Sequence, residues 1–124
     1  MKHTLQEVSM VVTQADIDRY AGLSNDFNPL HVDPAFAATT PMGKPIAHGT
    51  LSVNLIWQML ARNFDVGLRA PIQLDIRFLK PLFAGDSATA GGQADPTQAG
   101  RYEVWVKGAD GTPLISGHAE LPGS

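Results

Sequence analysis

The feature of the sequence that most constrains the fold is an apolar segment in the middle of the chain, over about residues 50–63. Its large apolar side chains have helical spacing but are spread around much of the helical circumference; they are Leu51, Val53, Leu55, Ile56, Met59 and Leu60. A helix of this kind needs apolar partners on several sides. The segment therefore predicts a central helix that is wrapped by other structure.

The residues after this helix have the period of β-strands. Apolar and polar side chains alternate over residues 72–79 and again over residues 101–107, which is typical of half-buried strands. Asp110 and Gly111 predict a hairpin that leads into residues 113–120. A glycine-rich stretch at 86–95 and a weakly alternating one at 5–12 add two candidates. About five antiparallel strands and one long helix make an α+β fold.

Two short helices are predicted before the central one. Thr13 occupies an N-cap position, and the helix after it is expected to stop near Gly22. Asp33 and Pro34 are typical of the N-cap and first turn of another helix. Residues 24–29 are polar and end in a proline, which favours a loop between the two.

Composition limits the classes of protein that this chain can belong to. Its 124 residues allow a single domain, 1–124, because domains commonly hold about 100–150 residues. A net charge of -3 without a basic run argues against a nucleic-acid partner, and the lack of cysteine excludes thiol chemistry. No apolar run approaches the roughly 20 residues of a membrane span, and the first residues lack the apolar core of a signal peptide. We therefore expect a cytoplasmic protein that does not interact with membranes.

Asp26 and His31 place a carboxylate and an imidazole five positions apart. A helix would point them about 140° apart and a strand would send them to opposite faces, so only an irregular loop brings them together. Together they could hold a water molecule and move protons near neutral pH. Two alternatives stay open. Asp26 could cap a turn beside a half-buried His31, or Asp26, His31 and Asp33 could hold a metal ion.

A second candidate site lies at His48 and Gly49, where the central helix begins. A helix start exposes unpaired amides and a partial positive charge. The Gly49 amide could therefore polarise a carbonyl oxygen as it becomes an enolate. The alternative is an ordinary helix start, at which glycine provides backbone freedom.

The two candidates together resemble a known motif. Residues 20–37 have the sequence YAGLSNDFNPLHVDPAFA, residues 45–49 are PIAHG, and residues 74–86 are LDIRFLKPLFAGD. These segments closely resemble the MaoC-like, (R)-specific enoyl-CoA hydratases, and the similarity covers most of the chain. It implies a hot-dog fold, in which an antiparallel sheet wraps a long central helix.

The resemblance also implies an activity, the reversible hydration of a trans-2-enoyl thioester to the (R)-3-hydroxyacyl thioester. By motif position, Asp26 and His31 would activate the water, and Asn28 would support their loop. The Gly49 amide would bind the thioester carbonyl, with His48 beside it among the substrate-binding residues. We expect no metal and no cofactor apart from the CoA of the substrate, and a homodimer, because a sheet of about five strands leaves an open edge.

One position departs from the family. The eighth residue after the motif glycine is a small hydroxyl residue in a characterised hydratase, and here it is Trp57. Asn54, Trp57 and Gln58 share a helical face that could line a shortened acyl pocket suited to short, branched or functionalised enoyl groups. Alternatively, this face meets a partner subunit or solvent.

Three other functions stay open on the sequence. They are a hot-dog thioesterase, a non-catalytic acyl-thioester binding protein, and a 3-hydroxyacyl dehydratase whose substrate is linked to acyl carrier protein. The cations that could meet the phosphates of the carrier are scattered along the chain; they are Lys44, Arg62, Arg69, Arg77, Lys80 and Lys107.

Overall fold

A computed structural model describes residues 4–64 and 71–121. The first range contains one strand and four helices, and the second contains four strands. In chain order these are β1 (Val8–Val11), α1 (Gln14–Ser24), α2 (Pro29–Val32), α3 (Pro34–Ala38), α4 (Gly49–Asn63), β2 (Gln73–Phe78), β3 (Ser87–Ala94), β4 (Arg101–Gly108) and β5 (Pro113–Glu120).

The five strands form one antiparallel sheet in the order β1-β3-β4-β5-β2. The predicted hairpin joins β4 to β5. Gly111 adopts a φ of 84° in its turn, and the N–H of Gly108 donates to the carbonyl of Thr112 at 2.9 Å. Because β1 and β2 stand at the ends of the strand order, each leaves one edge of the sheet open among the described residues.

The core lies between the sheet and one face of α4. Leu55, Ile56, Met59 and Leu60 are at most 1% exposed. They belong to one cluster with side chains from four strands of the sheet, including Val8, Ala88, Ala90, Val104, Val106, Ile115 and Ala119. Burying a side chain as large as leucine contributes about 1.5–3 kcal/mol, so this contact stabilises the fold. The arrangement is the α+β, hot-dog architecture that the resemblance implies.

The face of α4 that points away from the sheet is open among the described residues, which agrees with the alternative that this face meets solvent or a partner subunit. Asn54, Trp57 and Gln58 are exposed, and Trp57 keeps 39% of its surface accessible. Leu51 and Val53 are partly buried between the two faces. The apolar residues are widely spread around the helix because they fill these borders as well as the core.

Hydrogen bonds at its ends determine the length of α1. Thr13 accepts from the N–H of Asp16, and the Asp16 carboxylate accepts from the N–H of Thr13. The latter bond is the main cause that lowers the pKa of Asp16 below its ordinary value. α1 continues past Gly22, where we expected it to stop, because Asn25 adopts a left-handed φ of 56° and donates its N–H to Ala21.

In the part of the chain that the structure describes, no helix combines the length and apolar character needed to cross a membrane.

The close approach of β5 and β2 at Gly117 generates a stability prediction. A Cβ added there would overlap the backbone carbonyl oxygen of Asp75 and come within 2.7 Å of the Cα of Ile76. Because two paired backbones must move apart, we expect Gly117→Ala to lower the free energy of unfolding by about 1–3 kcal/mol or more. Chemical denaturation measures this change.

Gly22→Ala is the matched control, since a Cβ at this helical position meets nothing within 4 Å. Alanine is favoured over glycine in a helix by about 0.8–1.0 kcal/mol, so this variant should be as stable as the parent or more stable. Equal stability of Gly117→Ala and the parent would contradict the close approach of the two strands.

Candidate active site

The loop after α1 presents the carboxylate of Asp26. The N–H of Asp26 donates to the carbonyl of Ala21 at 3.2 Å, and its Oδ1 accepts from the N–H of Asn28 at 3.2 Å. Asn28 in turn caps α2 by accepting from the N–H of Leu30 at 3.0 Å. Asp26 therefore makes the local turn that one alternative predicts, and its Oδ2 points toward His31.

His31 lies in α2, a single helical turn where the sequence predicted an irregular loop. Pro29 at the first helical position and the Asn28 cap stabilise this turn. The Nδ1 atom of His31 lies 2.8 Å from the backbone carbonyl of Ile46. Because a carbonyl only accepts hydrogen bonds, Nδ1 carries the hydrogen and Nε2 is left with a free lone pair.

The structure brings Asp26 and His31 together, as the loop argument requires. Nε2 of His31 lies 4.0 Å from Oδ2 of Asp26, which is too far for a direct hydrogen bond. A water molecule at about 2.8 Å from both atoms would form an angle of about 90° between them. The His31 side chain is 13% exposed and that of Asp26 is 52% exposed, so solvent can reach the gap.

His48, predicted among the substrate-binding residues, is buried, with 3% of its surface exposed. Its Nε2 lies 2.9 Å from the backbone carbonyl of Asp26. Its ring stacks on that of His31, with centroids 4.0 Å apart and an interplanar angle of 25°. The buried His48 side chain therefore contacts both Asp26 and His31 from the interior of the protein.

A cavity of about 320 Å³ opens beside His31 and Gly49. Most of its wall is apolar, with Ser52 and Lys80 as further polar residues; the apolar lining residues are Ile46, Ala47, Phe78, Leu79, Pro81, Leu82, Leu114 and Ile115. Gly49 is the first residue of α4, so its amide has no acceptor within the helix. A Cβ at Gly49 would stand 2.9 Å from the Phe78 ring, a close approach that favours glycine here.

The structure does not bring every candidate residue to this cavity. Trp57 lies on the open face of α4 and is not part of the cavity wall. Of the cations considered for phosphate binding, Lys80 lines the cavity, whereas Lys44 lies 3.9 Å from Asp86. Arg69 lies outside the described residues.

Backbone groups that the sequence analysis did not identify hold the site in place. The N–H of Ile46 donates to the carbonyl of Leu30 at 3.1 Å, and the N–H of Ala47 donates to that of Leu82 at 2.7 Å. Gln14 adds a side-chain bond from Nε2 to the carbonyl of His31 at 2.9 Å. Of these three hydrogen bonds, only the one from Gln14 involves a side chain. Because every residue type has the same backbone carbonyl, the sequence could not predict the other two.

Asp26, His31 and His48 offer ligand atoms within 4.8 Å of one another. Asp33, which one alternative placed in a metal site, instead caps α3 by accepting from the N–H of Phe36 at 3.1 Å. The lone pair of an imidazole nitrogen lies in the plane of its ring. Because the two rings are stacked, their planes meet only far from both, and the histidines do not converge on one ion in this arrangement.

Comparisons with known proteins show which sequences this chain is similar to. A sequence profile of the MaoC-like domain matches residues 1–111. The chain is 42% identical over 76 residues to an (R)-specific enoyl-CoA hydratase of Aeromonas caviae, an alignment that covers 61% of this chain and 57% of that protein. It is 34% identical over 83 residues to the (R)-specific enoyl-CoA hydratase of Rhodospirillum rubrum, covering 67% of this chain and 58% of that protein. The aligned parts thus span just over half of these curated relatives.

Solved structures of related proteins match over nearly the whole chain. The A. caviae (R)-hydratase involved in PHA biosynthesis superimposes with a TM-score of 0.82 at 29% identity, covering 98% of this chain and 97% of that one. The unliganded R-hydratase PhaJ1 of Pseudomonas aeruginosa gives a TM-score of 0.84 at 28% identity and covers 98% and 79%. Fold and sequence point to the same group of proteins. The chain belongs to the MaoC-like domain family.

Proposed function

We propose that this chain catalyses the reversible hydration of a trans-2-enoyl-CoA to the (R)-3-hydroxyacyl-CoA. The observation that carries the proposal is the position of Nε2 of His31, which faces the Asp26 carboxylate across 4.0 Å beside an apolar cavity that begins at Gly49, while Nδ1 contacts a backbone carbonyl. The similar proteins named as (R)-specific enoyl-CoA hydratases support both the reaction and its stereochemistry.

The water is held between Asp26 and His31. The Asp26 carboxylate accepts a hydrogen bond from one O–H, and Nε2 of His31 accepts from the other. As the water oxygen bonds to C3 of the substrate, Nε2 of His31 takes the proton of the O–H group that donates to it. Asn28 keeps the carboxylate in place through its N–H and supports α2 through its side chain.

The thioester carbonyl lies against the Gly49 amide. When oxygen bonds to C3, the electron pair of the C2=C3 bond passes into an enolate, whose oxygen bears negative charge. An unpaired amide at the start of a fifteen-residue helix stabilises that charge more than it stabilises the neutral carbonyl. The proton on His31 then passes to C2, which completes the addition and restores both side chains.

The cavity favours short acyl groups. Its volume of about 320 Å³ is at the lower end of the roughly 300–1,000 Å³ of ligand pockets. A neighbouring cavity of about 560 Å³ shares Lys80, Pro81, Leu82 and Leu114 with it, so these residues separate the two spaces. Among the cations considered for phosphate binding, Lys80 lines both cavities, which supports it as a partner for a phosphate of CoA. A cytoplasmic location stays a prediction from the sequence.

The two proton-handling residues, Asp26 and His31, can be tested by substitution. Asp26→Asn and His31→Ala should each lower kcat for crotonyl-CoA by about 10²–10⁴-fold, because general acid–base groups contribute factors of this size. Loss of the enoyl absorbance measures turnover. Asp33→Asn is the matched control, because asparagine retains the α3 cap. Near-parental turnover in both site variants, with unchanged thermal unfolding, would contradict the assignment.

The same assay separates the alternative functions. Free thiol is measured alongside absorbance, with crotonyl-CoA and crotonyl-acyl carrier protein in parallel. We expect absorbance to fall without thiol release and to fall faster with the CoA substrate. Thiol release would indicate a thioesterase. A faster reaction with crotonyl-acyl carrier protein would indicate that the substrate is linked to acyl carrier protein and not to CoA. No reaction with either would favour a binding protein.

The preference for acyl chain length tests the size of the cavity. We expect a higher kcat/KM for C4 than for C12 enoyl-CoA, and Leu114→Ala should move that ratio about tenfold or more toward C12 by joining the two cavities. Truncating a buried leucine also costs about 2–5 kcal/mol of stability. Leu60→Ala controls for this cost, since Leu60 is buried outside the cavity wall. A parental preference for C12 would reject the short-pocket hypothesis.

The open edge of β2 and the exposed Trp57 face of α4 bear on assembly. We propose that a second copy covers the open edge of β2 and the Trp57 face of α4, so sedimentation should give about twice the 13.3 kDa of one chain. Trp57→Asp should shift the protein toward the monomer, because it places a charge in the interface. Leu23→Asp on α1, where Leu23 is 83% exposed, should not. A monomeric parent would contradict the proposal.

A further inference from the structure

We propose that His48 is a positioning residue that keeps Asp26 in register with the Gly49 amide. This inference rests on the proposed hydration and gives His48 a role other than substrate contact. Its basis is the hydrogen bond between the His48 ring and the backbone of Asp26, together with the stacking of the same ring on His31.

The contacts of His48 determine where its hydrogen lies. Nε2 is 2.9 Å from the Asp26 carbonyl oxygen, which can only accept, so Nε2 carries the hydrogen. Nδ1 is buried, and no described residue forms a hydrogen bond with it. A hydrogen on Nδ1 would therefore be a buried donor without an acceptor. His48 takes the Nε2–H form, the opposite tautomer to that of His31.

The ring is held on two sides. It stacks on His31 at a centroid distance of 4.0 Å, and the ring of Tyr20 lies against it at 5.0 Å. With 3% of its surface exposed, it has little room to turn. Because the His48 ring is fixed in this way, its hydrogen bond to the Asp26 carbonyl limits the movement of the Asp26 backbone.

The His48 ring belongs to the residue next to Gly49, whose amide binds the thioester carbonyl in the proposed function. His48 immediately precedes Gly49, so one residue links the position of Asp26 to the start of α4. Hydration needs the water at C3 and the carbonyl at Gly49 at the same time. Misplacing one reacting group by about 1 Å can cost about 10²-fold in rate, so a loosened Asp26 loop should reduce turnover more than binding.

Two substitutions separate the hydrogen bond from the ring. His48→Phe keeps a ring that can stack on His31 but removes the donor. His48→Gln removes the ring but keeps a side-chain N–H that can reach the Asp26 carbonyl. We expect His48→Phe to lower kcat by about 10- to 100-fold with little change in KM, and His48→Gln to recover most of that loss.

A double-variant comparison tests whether His48 acts through Asp26. Asp26→Asn retains its backbone carbonyl, so the contact itself remains. In this background His48→Phe should lower kcat by no more than about threefold, because the carboxylate it positions is gone. Tyr20→Phe is the matched control. It removes the 2.6 Å hydrogen bond from Tyr20 to Thr50 but keeps the ring beside His48, so kcat should not change.

A spectroscopic measurement is independent of activity. Imidazole ¹⁵N shifts of the parent protein should show the hydrogen on Nε2 of His48 and on Nδ1 of His31. A hydrogen on Nδ1 of His48 would overturn the contact. Unchanged kcat in His48→Phe, or an equal loss in the parent and Asp26→Asn backgrounds, would overturn the positioning role. A parent that hydrates no enoyl thioester would overturn the proposed function and this role with it, whichever tautomers the spectrum shows.

Discussion

The hydrogen bond from His31 to the carbonyl of Ile46 is the interaction on which the rest of the site depends. It leaves the lone pair of Nε2 on the side of Asp26, and it joins α2 to the segment that leads into α4. Ile46 is itself held by a bridge to Phe83 and by its N–H bond to Leu30. The position of the Nε2 lone pair of His31 therefore depends on the paired segments at Ile46 and Phe83 as well as on the loop that carries Asp26.

The fold was predictable where the residues of one element share a period. The alternation of β2 and β4 and the apolar repeat of α4 reflect contact with one core, and the structure confirms all three elements. The single turn α2 and the end of α1 were not predictable in this way. They depend on a side-chain cap from Asn28 and on the left-handed backbone of Asn25. For the Trp57 face of α4 the sequence left two alternatives, a pocket wall or a surface open to solvent or a partner, because periodicity shows which residues are apolar and not what covers them.

The site was predictable to a similar extent. That Asp26 and His31 need an irregular segment follows from backbone geometry alone, and the structure has one between α1 and α2. The tautomers could not be predicted, because they depend on the carbonyls of Asp26 and Ile46. Every residue has a carbonyl, so residue type carries no signal for such contacts. For the same reason, the sequence could not distinguish a His48 that contacts substrate from one that holds the backbone of Asp26.

The two opposite tautomers have a consequence for proton transfer. Each histidine donates to a carbonyl and keeps one nitrogen without a hydrogen, but only Nε2 of His31 faces the carboxylate of Asp26, while Nδ1 of His48 is buried. Leaving a buried acceptor without a partner costs about 1–3 kcal/mol. Because only one of its nitrogens carries a hydrogen, the His48 ring, whose centroid lies 4.0 Å from that of His31, carries no charge. In the proposed hydration, a proton that passes from water to His31 meets no like charge on the ring stacked on it, and the nearest described carboxylate is that of Asp26. In the proposed mechanism, Nε2 of His31 thus holds the proton beside the Asp26 carboxylate until the proton passes to C2.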